Sequence, residues 1–375
     1  MKSVLLFLIL STLVASAQRS SLPLNESWQF HLGDVPAAFT DDFDASDWDS
    51  VDVPHDWSFE SGVSSKGAQS DKGGYYSGGI GWYRKSFTLA ALRADQRIRI
   101  DFDGVYMNSE VWVNGQKLGK RPYGYISFSY DITAFVKPGV NVIAVRCDNS
   151  REPSARWYHP CGIYAPVQLT LTHQSHILKD GIQITTPLIT RSQAEVQIQT
   201  STSDDRHTEL QHIILDPSGK EVARTTGNQA IVHHPKRWDT ETPHLYTLVT
   251  RLSKNGTLVD EVRTRFGIRS IKWEIETGFW LNETNVKLLG VCEHWEGGPV
   301  GGAWTPELMR WKIKTLQSMG CNAIRTAHNP CPPFFYDLCD ELGMLVMDEL
   351  FDGWKSKAPH DYGRQAFASD WELDL

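Results

Sequence analysis

Apolar and polar positions alternate with a period of two through most of the first 270 residues. RIRIDF (97–102), EVWVNGQKLG (110–119) and NVIAVRCDN (141–149) carry the alternation, and Asn114-Gly115 between apolar runs is a hairpin turn. GIQITT (181–186), AEVQIQT (194–200), LQHIILD (210–216) and LYTLVTRL (245–252) continue it, with turns at Pro217-Ser218-Gly219 and Lys254-Asn255-Gly256. Short half-buried strands with frequent turns predict two successive β-sandwiches, over 18–173 and 174–269. The second has the size of an immunoglobulin-like domain. No sequence period relates the two.

The pattern changes over 270–375. An entry hairpin with Asn282 to Asn285 at its turn leads into LLGVCEHW (288–295), CNAIRTAHNP (321–330) and LVMDELFDGW (345–354). Each is a short apolar run that becomes polar at its end. Two helices separate them. The first is predicted from Thr305 as N-cap, Pro306 at its first position and Glu307 in its first turn, with Leu308, Trp311, Leu316 and Met319 on its buried face and Gly320 at its end. The second follows Pro332-Pro333, buries Phe335, Leu338, Cys339 and Leu342, and stops at Gly343. Alternating apolar strands and amphipathic helices predict a parallel sheet. An open doubly wound sheet and a (β/α)8 barrel both fit, and in both the ligand meets the carboxyl ends of the strands. That selects Glu293 and His294, then Arg325, His328 and Asn329, then Asp348, Glu349 and Asp352. No glycine-rich loop follows the first strand, which argues against a dinucleotide or P-loop site. Carboxylates, imidazoles and Trp295, Trp304 and Trp354 at one mouth suit a sugar.

GVCEHWEG, NAIRTAHNP and MDELFDGW, in this order, resemble the first three barrel strands of glycoside hydrolase family 2, which contains β-galactosidases, β-glucuronidases and β-mannosidases. VPHDW (53–57), GWYRKSF (81–87), FDGVYMNSEVWVNG (102–115) and RWYHPCGIY (156–164) resemble that family's N-terminal jelly roll. RWDTETPHLYTL (237–248) and RFGIR (265–269) resemble its second domain. The resemblance implies a jelly-roll sandwich, an immunoglobulin-like sandwich and the first three βα units of a TIM (β/α)8 barrel. It implies a β-galactosidase-type enzyme acting by a retaining two-carboxylate mechanism. β-Glucuronidase and β-mannosidase are the alternatives, and a non-catalytic carbohydrate-binding relic is the reading from another class.

The resemblance also assigns roles. His294 and His328 line the sugar subsite, and Arg325 orients a catalytic carboxylate or forms an internal ion pair. Of Asp348 and Glu349, one binds substrate and the other pairs with Arg325. Asp352 and Trp354 shape the subsite wall, unless Trp354 is simply packed, and Asn329 binds substrate or supports the site. Asn149, Arg156, Trp157 and Tyr158 reach its rim from the jelly roll, while Trp57, Trp82 and Trp112 are core. Ala155-Arg156 replaces a carboxylate that some β-galactosidases carry before the tryptophan. The family's acid/base and nucleophile glutamates end strands four and seven, so they are expected beyond Leu375, and the 375-residue chain is expected to be an inactive fragment. Glu293 and Glu349 are not read as a catalytic pair. Asn282-Glu283 and Asn25-Glu26 precede the first barrel strand and are not read as the acid/base dipeptide.

Met1 to Ala17 has a positive start at Lys2, an apolar run from Val4 to Val14 and Ala15-Ser16-Ala17 at its end. It reads as a signal peptide for an exported, periplasmic or secreted protein. The net charge of −8 argues against nucleic acid as a partner. The expected partner is a carbohydrate, and a homo-oligomer is left open. The six cysteines have no zinc spacing, and Cys147–Cys161 is the one pair worth testing as a disulfide. No cofactor is called for; a structural or activating cation is left open. Asn25, Asn255 and Asn282 open N-glycosylation sequons.

Overall fold

The computed structural model describes residues 19–204, 206–352, 354 and 359–374. The expected signal peptide and its cleavage site lie outside the described residues. Among those described, no helix is long and apolar enough to cross a membrane.

The first sandwich packs a six-stranded sheet on a four-stranded one, both antiparallel. The larger has Gly79–Leu89 and Gly139–Asn149 at its centre. The smaller has Val167–His173 and Gln96–Phe102 at its centre. The alternation is realised residue by residue. Ile98, Ile100 and Phe102 point into the core, and Ile98 and Ile100 register against Leu171 and Leu169. Asn114 and Gly115 both take positive φ (48° and 77°), the mirror-image turn that matches strand twist. Trp57, Trp82 and Trp112 are buried, as expected. Trp82 and Trp112 stack at 5.3 Å in a small separate cluster with Ala38 and Phe39.

The second sandwich packs the sheet of Ile177–Ile189, Gln193–Thr202 and Gln229–His233 on a four-stranded sheet. Thr208–Leu215 and Leu245–Lys254 are at the centre of the latter. Val196, Ile198, Ile214, Leu248 and Phe266 fill the space between. Buried Asp260 accepts two bonds from Arg19, at 3.0 and 2.8 Å, and one from the Ile177 backbone at 2.8 Å. This ties the start of the described chain to the second sandwich.

Ile271–Glu274, Gly278–Leu281 and Thr284–Asn285 form the entry hairpin. Asn282 and Glu283 are its turn, with φ of 52° and 65°. The Asn282 amide bonds the backbone of Trp238 and Ser270, and Glu283 pairs with Arg237 at 2.7 Å. The dipeptide is therefore structural.

The last unit runs β1 (Gly290–Glu293), α1 (Pro306–Ser318), β2 (Ala323–Thr326), α2 (Pro333–Leu342) and β3 (Leu345–Met347). The strands are parallel in the order β1-β2-β3. Val291, Ile324 and Val346 share one row and pack toward the helices. Cys292, Arg325 and Met347 share the opposite face. Thr305 caps α1 by accepting from Leu308 N, and Gly343 ends α2 in the left-handed region. The buried stripe of α1 differs from expectation. It is Met309, Ile313 and Leu316, whereas Trp311 and Met319 are 65% and 71% exposed. Spacings of four and three align 309, 313 and 316. Residue 311 is turned about 200° from 309, and Met319 lies past the last helical residue.

The jelly roll and the βα unit share one core, in which Tyr106, Tyr123, Tyr125 and Tyr164 pack with Trp295, Phe335 and Phe351. One buried carboxylate joins the two across that core. Asp56 caps the short helix Trp57–Glu60 and accepts from Ser58 N. It also accepts from Cys161 N at 3.0 Å, from Gly302 N at 2.8 Å and from the Tyr158 hydroxyl. Gly302 belongs to the loop after β1. A Cβ at Gly301 would stand 2.6 Å from Tyr158 Oη, so only glycine admits this approach. Asp56→Ala should cost about 3 kcal/mol of stability by stranding these donors. Limited proteolysis should then release 290–374 before the sandwiches. Equal cleavage rates in variant and parent would refute this docking role.

Candidate functional site

The polar ends of the three strands converge. β2 ends at Thr326, and the chain turns through Ala327, His328 and Asn329 before α2. Arg325 donates to Glu349 Oε1 through Nε at 2.7 Å and Nη2 at 2.6 Å, and its Nη1 lies 3.4 Å from Cys292 Sγ. His328 Nδ1 lies 3.4 Å from Glu349 Oε2 and 4.0 Å from Asp352 Oδ1. Burial holds His328 below its ordinary range, against the opposing pull of Asp352 and Glu349. A neutral imidazole both donates and accepts, which suits vicinal hydroxyls.

Trp157 completes this group from the other domain. Its indole is 7% exposed and donates to Tyr125 Oη at 3.2 Å. Its rings lie 5.5 Å from His294 at 24° and 4.7 Å from His328 at 52°. The two imidazoles are 5.4 Å apart. Arg156, beside it, donates to Asp352 at 2.7 Å and so bridges the jelly roll to the segment after β3. A cavity of about 40 Å³ opens here, lined by Tyr125, Trp157, His328, Asp352 and Trp354 among others.

The other expected residues are placed as follows. Asp348 accepts from Thr326 Oγ1 at 2.8 Å and from Tyr336 Oη at 2.7 Å. Of the two, Glu349 is the one that pairs with Arg325 among the described residues. Asn329 is buried beside His328, with its amide nitrogen on Pro330 O and its side-chain oxygen without a partner among the described residues. Trp354 borders the cavity, packs edge-on to Phe351 and Phe367, and is 57% exposed. Glu293 forms an ion pair with Lys312, and Glu296 is exposed. Two rim expectations are corrected. Asn149 is 1% exposed and its amide faces Glu152, His159 and Cys161 inside the jelly roll. Tyr158 turns to Asp56. The loop bends at Arg156 and Trp157, and Tyr158 beyond the bend faces the jelly-roll interior. Cys147 and Cys161 are buried free thiols. Tyr125, Thr326 and Tyr336 carry or brace site groups and escaped sequence reading. Only the position of Thr326 at the end of β2 gave a signal.

Family models match nearly the whole described chain. Glycosyl hydrolases family 2, sugar binding domain, matches 22–172; Glycosyl hydrolases family 2 matches 175–269; its TIM barrel domain matches 274–355. A protein of Formosa agariphila named "Putative beta-glucuronidase" is 50% identical over 99% of this chain. A β-galactosidase of Bacteroides ovatus is 41% identical over 97% of it. The chain spans 37% and 45% of the length of these two relatives. The crystal structure of a β-glycosidase from Bacteroides vulgatus superposes with a TM-score of 0.90 at 36% identity, covering 95% of this chain and 47% of that one.

The polar cluster around Asn149 has a pH signature. Burial pushes His159 down to about 4 from 6.5 and pushes Glu152 up to about 7 from 4.5. His159 contributes stability that is full above pH 6.5 and is lost as pH falls through about 4. Glu152 contributes stability that is full below pH 4.5 and is lost as pH rises through about 7. The two slopes oppose each other between pH 4.5 and 6.5. Urea midpoints should show His159→Gln losing stability as pH rises across that window, and Glu152→Gln losing it as pH falls. Variants that parallel the parent at every pH would contradict the assignment.

Proposed function

Since the chain belongs to glycosyl hydrolases family 2, we propose that it supplies the first part of the sugar site of an enzyme that hydrolyses terminal β-galactosides. The observation that carries this is the packing of Trp157 against His294, stacked, and His328, tilted, which brings an aromatic ring and two hydroxyl-binding imidazoles to the strand ends. In a retaining mechanism a carboxylic acid protonates the leaving oxygen while a carboxylate about 5–5.5 Å away attacks the anomeric carbon. The carboxylates described at the mouth are otherwise committed. Glu349 holds Arg325, Asp352 holds Arg156, Glu293 holds Lys312, and Asp348 receives Thr326 and Tyr336. We therefore assign the acid/base and the nucleophile to positions outside these residues, and give this set the binding of hydroxyls and the orientation of the reacting groups.

A galactoside is favoured by the state of the mouth's arginines. Among the described residues, Arg325 and Arg156 are both engaged by carboxylates, so neither is free to receive the carboxylate of a uronic acid. A β-glucuronide is the second reading, favoured by the name of the relative at 50% identity. Export belongs to the proposal through the Met1–Ala17 segment, and mass spectrometry of exported protein should find Gln18 as its first residue. An intact Met1 there would refute it.

The direct test assays the 375-residue chain and a longer form carrying the remaining βα units on nitrophenyl β-galactoside and nitrophenyl β-glucuronide. The longer form should turn over the galactoside faster, and the chain alone should not reach an enzyme-like rate. His294→Ala and His328→Ala should lower turnover of the longer form by roughly 10²–10³-fold with the fold intact. Preference for the glucuronide would transfer the proposal to the second reading. Unchanged kinetics in both variants would remove the histidines from the site.

A further inference from the structure

Trp157 rides on the loop that leaves the strand Gly139–Asn149 and returns through Cys161 to the jelly-roll core. Glu152 and Ser154 lie on its outgoing limb, and His159 and Cys161 on its return. The limbs are joined below the tryptophan. Ser154 Oγ is 3.1 Å from His159 Nε2, and His159 Nε2 is 4.0 Å from Glu152 Oε1. Asn149 Nδ2 stands at the base, 3.4 Å from Glu152 Oε1, 3.5 Å from His159 Nδ1 and 3.4 Å from Cys161 Sγ. Gly78 N donates to Glu152 Oε2 at 3.0 Å. The Tyr106 ring stacks on His159 at 4.6 Å, and its hydroxyl is 3.3 Å from Ser154 Oγ. The Glu152 and His159 side chains are each 1% exposed.

We propose that Glu152 and His159 are positioning residues: the buried clasp they close between the two limbs fixes Trp157 against His294 and His328. The Ser154–His159 bond leaves only Ala155 to Tyr158 between its ends, and one residue separates Trp157 from His159. A shift of the clasp is therefore passed directly to the indole. Glu152 acts on Tyr106 and Cys161, and the Gln69 side chain faces its carboxyl. With Glu152 pushed up to about 7 and His159 down to about 4, both are neutral near pH 6 and the clasp is closed. Ionising Glu152 places a negative charge in this pocket facing Gly78 N, the Asn149 amide and Gln69, and the clasp shifts as these bonds rearrange. The positional claim holds whatever the mouth binds; its bearing on a sugar ring rests on the glycosidase reading.

The test needs no substrate. In the 375-residue chain labelled with ¹⁵N-tryptophan, the Trp157 indole resonance is assigned by its loss in Trp157→Phe. It should move between about pH 6 and 8 with a midpoint near 7. Glu152→Gln should hold it at its low-pH position throughout, and His159→Gln should displace it already at pH 6. A His328→Gln background separates the titration of His328 itself. A Trp157 resonance that does not move over this range, or moves identically in Glu152→Gln, overturns the proposal. If His159→Gln does not fold, the Glu152→Gln comparison alone decides. No turnover enters the readout, so loss of the glycosidase reading would leave this result standing, and the reverse.

Discussion

A carboxylate removed from water must find donors for its lone pairs. Asp56 meets that constraint with groups from three separate segments: its own helix, the Tyr158–Cys161 stretch of the jelly roll and the loop after β1. Burial pushes its carboxyl above the ordinary range while these donors pull it back down. The jelly roll supplies donors to both oxygens, and Gly302 N of the docked barrel loop adds a second one to Oδ2. The placement of the mouth follows from this. Tyr158 turned to Asp56 leaves its neighbour Trp157 facing His294 and His328.

The jelly roll therefore does more than precede the barrel. Its tyrosines form a common core with barrel aromatics, Tyr123 donates to Leu350 O at 2.6 Å, and Arg156 holds Asp352. Residues of the mouth come from both domains, and so do the interactions that orient them. The second sandwich contributes differently. Trp238 donates to Asp340 O at 2.7 Å, and Arg265 pairs with Asp337 at 3.1 Å, which supports α2 from behind rather than at its mouth.

The two faces of the three-stranded sheet differ sharply. Val291, Ile324 and Val346 are covered by α1 and α2. The Cys292–Arg325–Met347 face borders an open cavity of about 680 Å³ with Leu288 and Trp273 near its edge. Arg325 is held on that face by Glu349 and Cys292. These charge-assisted bonds fix the guanidinium beside Cys292 and Glu349.

Local order was legible in the sequence because it depends on near neighbours. Period-two alternation gave the sandwich strands, Asn114-Gly115 the hairpin, Thr305 and Gly343 the helix boundaries, and the polar ends of β1, β2 and β3 the place where polar groups converge. Family motifs added which residues gather there, and His294, Arg325, His328 and Glu349 do gather. Tertiary structure decided the rest. Nothing in the period of α1 separates Trp311 from the buried stripe, since an apolar residue reads alike on either face until the sheet selects one. Asn149, at the end of its strand, and Trp157, on the loop that follows, stand eight residues apart, yet one is sealed inside and the other faces the mouth. That choice belongs to Asp56, to the Glu152–His159 pair and to the tyrosine cluster, whose partners are distant in sequence and meet only when the domains pack.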